Sequence, residues 1–60
     1  MVFGYALVSP SGEYVSIDNK HGQYNKLTSS NMEILRFTQD RAYQLKADIP
    51  SLSDYSVVSV

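Results

Sequence analysis

The chain has 60 residues, with five basic and six acidic side chains, one histidine, no cysteine, no tryptophan and 43% hydrophobic residues. That length allows one domain, residues 1–60, which buries only about 60% of the surface its unfolded chain exposes. The missing cysteines exclude a disulfide framework, and His21 alone cannot build a thiolate or imidazole zinc site. A formal charge of −1 argues against broad attraction to nucleic acid or anionic lipid.

Residues 2–8, Val-Phe-Gly-Tyr-Ala-Leu-Val, are apolar on both faces apart from Gly4, the pattern of a central strand. They lack the basic residues and length of a signal peptide, and no segment reaches the roughly eighteen apolar residues of a membrane span. The expectation is a protein of the cytoplasm with no membrane association. Ser9-Pro10-Ser11-Gly12 follows, with proline preset for a type I turn and glycine suited to the left-handed residue after it. The returning strand, residues 13–18, alternates, so Val15 and Ile17 should face the core while Tyr14, Ser16 and Asp18 face away. Residues 19–27 are rich in turn formers and read as a loop with at most a brief extended piece.

Ser30-Asn31-Met32-Glu33 matches a capping box and predicts a helix that begins there. Continued without a break, it places Ile34, Leu35, Thr38, Ala42, Leu45 and Ile49 in one arc about 100° wide, with Glu33, Arg36, Asp40, Gln44 and Asp48 on the far side. Pro50 stops the helix near Asp48. The periodicity favours continuity, which leaves Phe37 exposed. Residues 54–60 are β-prone through Tyr55, Val57, Val58 and Val60, and the paired valines satisfy either facing. The predicted fold is α+β: a small ββαβ domain whose three-stranded antiparallel-type sheet, order 2-1-3, carries one helix on one face.

From Ser30 onward the chain resembles short phage-encoded and prophage-encoded accessory proteins. The matching residues are Ser30, Ile34, Phe37, Thr38, Ala42 and the run 55–58, and the Gly12-x-Tyr14 hairpin return is similar. The resemblance covers most of the chain and implies a small α+β protein made inside an infected bacterium, in the host cytoplasm, where such proteins often bind and inhibit host or defence factors. The pattern often breaks the helix at the phenylalanine, which for this chain implies a break at Phe37, Thr38 as a new N-cap and the phenylalanine turned into the core, against the continuity that the periodicity favours. No functional residue belongs to the pattern.

Catalysis has little to rest on. A serine nucleophile needs a base, the only imidazole is His21, and nine serines with six carboxylates make some Ser, His and Asp combination unavoidable. No glycine-rich phosphate loop opens the helix, and a metal site could draw only on Asp18, His21 and another carboxylate. Neither enzyme activity nor a cofactor is expected.

Protein binding has more support. On a continuous helix Met32, Arg36 and Tyr43 share an outward stripe with Phe37 beside it, and these residue types are enriched at interfaces. The last strand lies at a sheet edge with no proline or lysine to block pairing, which would accept a partner strand or a second copy in a homodimer. The expected function is a non-enzymatic protein-binding module, an inhibitor that occupies the surface of a host or defence factor. The alternative is a nucleic-acid-binding or regulatory module that uses Lys20, Tyr24 and Lys26 in the basic loop 19–26, which carries a charge of +2, together with Arg36 or Arg41.

Overall fold

The computed structural model describes residues 4–20 and 22–60. Val2 and Phe3 of the predicted first strand, and His21, lie outside the described residues. The elements are β1 (Tyr5–Val8), β2 (Tyr14–Val15), β3 (Leu27–Thr28), α1 (Gln39–Asp48), a 3-10 turn over Pro50–Leu52, and β4 (Ser56–Ser59). The four strands form one antiparallel sheet in the order β3-β2-β1-β4, with α1 against β1 and β4. The expected three-strand core is present, but the sheet has a fourth strand, because Leu27 and Thr28 pair with Val15 and Tyr14.

The first hairpin follows from its turn residues. The Gly12 amide donates to the Ser9 carbonyl at 2.9 Å, Ser9 donates to Glu13 at 2.7 Å, and Gly12 has φ +90°. A type I turn followed by a left-handed residue matches the twist of the flanking strands, and glycine takes that φ without a Cβ clash.

The predicted continuous helix is not formed. Residues 34–37 instead bridge to the sheet, Ile34 opposite Ser16 and Phe37 opposite Tyr5, and lie between β1 and the continuation of β2. Ile17 donates to the Glu33 carbonyl (2.8 Å), Leu35 to Val15 (2.9 Å), and Tyr5 and Phe37 exchange two bonds (3.1 and 2.8 Å). These partners satisfy backbone groups that a helix would otherwise pair internally, and they put a β-branched residue and a phenylalanine into sheet geometry that suits both. The capping-box residues are used differently. The Ser30 hydroxyl accepts from the Met32 amide at 3.4 Å, the Ser30 amide donates to Thr28 Oγ1 at 3.0 Å, and Glu33 Oε2 accepts from Thr28 Oγ1 at 3.3 Å. The helix instead starts at Gln39, where Thr38 is the N-cap and its Oγ1 accepts from the Arg41 amide at 3.2 Å. The break that sequence periodicity disfavoured is the one that forms.

The core is Leu7, Val15, Phe37, Ala42, Leu45 and Leu52, flanked by half-buried Tyr24, Leu27, Leu35, Ile49, Tyr55 and Val57. Phe37 is 7% exposed, which corrects its predicted solvent position. Leu7 pairs with Val57 in the ladder, so Val57 faces the helix and Val58 the other side, which settles the facing of the last strand. Ile17 is 55% exposed and not part of the core as predicted, because regular pairing ends at Ser16 and the Asp18 amide folds back onto Ser16 Oγ at 3.0 Å. Ile34 is buried, but it pairs with Ser16 and lies outside the Leu7 cluster.

Candidate functional site

Two features stand out once the fold is assembled: the free edge of β4 and a cleft beside the loop that follows β2.

Among the described residues β4 is paired on one side, with β1. Its four residues pair in register with β1, from Tyr5 opposite Ser59 to Val8 opposite Ser56. The Val60 amide donates to the Gly4 carbonyl at 2.8 Å, which makes that position a hydrogen-bonded pair of the same ladder. Bonded and non-bonded pairs alternate in an antiparallel ladder, so Val58 and Ser56 also aim their amides and carbonyls at β1. Val57 and Ser59 therefore aim theirs outward. The strand contains no charge, proline or lysine, the usual devices that blunt an edge.

The cleft lies between the loop and the extended segment, with a volume of about 280 Å³. Lys20, Gln23 and Tyr24 line it from the loop, and Leu35, Arg36 and Phe37 from the segment. Tyr24 and Phe37 form a tilted ring pair, with centroids 6.3 Å apart and planes at 59°. The loop is held at its ends by one side chain. Asn19 Nδ2 donates to the Ser16 and Lys26 carbonyls at 2.6 and 3.1 Å, and Asn19 Oδ1 accepts from the Lys26 amide at 2.8 Å. Inside it, the Gln23 amide closes a turn onto the Lys20 carbonyl at 2.9 Å, with Gly22 at φ +81° in the third position that favours glycine.

The predicted site residues are redistributed by the break at Phe37. Met32 is 90% exposed in the turn before the extended segment, and Tyr43 is 53% exposed on α1. With no helix joining them, Met32, Arg36 and Tyr43 do not form a stripe, and Phe37 packs inward. Arg36 and Phe37 instead share the cleft with Lys20 and Tyr24 of the basic loop. Lys26 lies apart, in a more open groove of about 750 Å³ with Asp18 and Glu33, and its Nζ is 3.8 Å from Asp18. Charges of both signs line that groove, so it has less power to select a ligand. Sequence reasoning missed the clamp at Asn19 and the edge roles of Val57 and Ser59. Only the register of β4 on β1 reveals the second.

Among the described residues no three carboxylate or imidazole groups gather into a metal-holding cluster, and no helix is long and apolar enough to cross a membrane. The one serine hydroxyl bonded to a free-standing carboxylate in the hairpin turn, Ser11 to Glu13 Oε1 at 3.5 Å, is exposed. Comparison with known proteins finds no matching family model, no matching curated relative and no matching solved structure.

Proposed function

We propose that this chain is a non-enzymatic module that binds another protein by accepting one of its extended segments along β4. The outward backbone groups of Val57 and Ser59 carry this reading. In strand addition the main-chain bonds supply affinity and the pockets for alternate side chains supply selectivity. β4 suits the role because its inner side is registered along its whole length, so the template is ordered before a partner arrives. The resemblance to phage accessory proteins extends the reading to a host or defence factor in the bacterial cytoplasm, inhibited when its surface is occupied. A second copy of this chain is the competing occupant of the same edge.

Paired proline substitutions test it. Ser59→Pro removes an outward amide from an exposed residue and leaves the β1 ladder intact, whereas Val58→Pro removes an inward amide. Ser59→Pro should fold like the parent by circular dichroism and lose the protein that the parent retains from bacterial lysate. Full retention by folded Ser59→Pro would refute binding at this edge. Sedimentation of the parent separates the two occupants: a dimer that Ser59→Pro dissociates assigns the edge to a second copy.

A further inference from the structure

The cleft beside β2 is separate from the β4 edge and has a chemistry of its own. Its two charged lining residues, Lys20 and Arg36, are both cations, and among the described residues no carboxylate lines it. Among the described residues neither cation has an ion-pair partner, and the ion pair found joins Lys26 to Asp18. Among the same residues Arg36 Nη2 makes a single 3.4 Å bond, to the Asn31 carbonyl, which leaves most of its donor fork unused. Leu35, half-buried Tyr24 and Phe37 also line it, and the buried Phe37 backs the Tyr24 ring at 6.3 Å between centroids. The site therefore pairs two cations with an aromatic ring.

Both walls are preformed. Arg36 sits between two residues fixed by backbone bonds, Leu35 to Val15 and Phe37 to Tyr5. Lys20 follows Asn19, whose amide ties together the two ends of the loop. A volume of about 280 Å³ falls at the lower limit of small-molecule sites, which run from about 300 to 1,000 Å³. It admits one ring system with an attached anionic group.

We propose that this cleft binds a small anion joined to a planar ring. Arg36 and Lys20 take the carboxylate or phosphate, Arg36 through its planar fork, and the ring lies against Tyr24. Two sources share this chemistry, a simple aryl acid and a mononucleotide.

Amide-resolved NMR titration of the full chain tests it, with phenyl phosphate, adenosine monophosphate and inorganic phosphate as probes. At least one ring-bearing anion should shift the amides of residues 19–24 and 35–37 saturably, with an affinity about tenfold or more above that of inorganic phosphate. Arg36→Gln and Lys20→Gln should each weaken it about tenfold, the scale of one charge-assisted hydrogen bond. Tighter binding of phenyl phosphate assigns the site to aryl acids, and tighter binding of adenosine monophosphate assigns it to nucleotides. No saturable shift at millimolar probe, equal binding of inorganic phosphate, or unchanged affinity in both variants would overturn the proposal. Ser59→Pro should titrate like the parent, so failure here and failure of strand addition at β4 are read independently.

Discussion

Replacing Phe37 by alanine separates the two arrangements of residues 30–48. In the folded chain Phe37 is 7% exposed and belongs to the central cluster with Leu7, Val15, Ala42, Leu45 and Leu52. Truncating a buried phenylalanine costs about 3–5 kcal/mol, from lost burial plus the cavity left behind. A chain of this length has about 3–9 kcal/mol in total, at about 0.05–0.15 kcal/mol per residue. Phe37→Ala should therefore remove about a third or more of the stability, and in a weakly stable background leave the chain unfolded. Phe37→Leu, which keeps most of the volume, should cost about 1–2 kcal/mol and remain measurable. Urea unfolding followed by far-ultraviolet circular dichroism reads both variants. On a continuous helix with Phe37 in solvent, either change would fall within about 0.5 kcal/mol. A loss below about 1 kcal/mol for Phe37→Ala would refute the extended segment and its inward phenylalanine.

Three further outcomes follow from the hydrogen-bond and charge geometry. Thr38→Ala should cost about 1 kcal/mol in the same unfolding assay because it removes the helix cap, whereas Ser30→Ala, which loses one exposed 3.4 Å bond, should cost under about 0.5 kcal/mol. Asn19→Ala should cost about 1–2 kcal/mol and speed amide exchange of residues 20–26, since a single side chain makes three bonds that close the loop. Lys26→Gln should change the unfolding midpoint little, by under about 0.5 kcal/mol, because its pair with Asp18 is 3.8 Å long and both side chains are mostly exposed.

The sequence was informative where structure is local. Pro10 and Gly12 specify the first turn, Ala42 and Leu45 mark the inner face of the helix that forms, and Pro50 ends it, all through contacts within a few residues. It misled where distant partners decide. Ser30 to Glu33 does match a capping box, and Ile34 and Leu35 do fit a helical stripe, but those preferences are worth roughly 1 kcal/mol each. The carbonyls and amides of Tyr5, Val15 and Ile17, about 16 to 32 residues away, outweigh them by bridging the same segment to the sheet. Ile17 reads as inward by alternation alone, yet it is exposed because β2 ends at Val15 and the last bridge is at Ser16. The candidate site was partly legible as a grouping. The sequence offers the loop around Tyr24 with Arg36 or Arg41 as its alternative surface, and the cleft does join Lys20, Tyr24 and Arg36; Phe37 reads as a helix flank, and only the break before α1 brings it there. The edge position of the last strand was legible from topology, while the outward direction of Val57 and Ser59 depends on its register.

That register is also where strand addition at β4 can be measured residue by residue. Amide hydrogen exchange on the monomer should show Val58 and Val60 protected, with Val57 and Ser59 exchanging fast, and Val57 and Ser59 should become protected when a partner binds. Protection of Val57 and Ser59 equal to that of Val58 in the free monomer, or no change at these two amides in the complex, would contradict a free edge that serves as the binding surface.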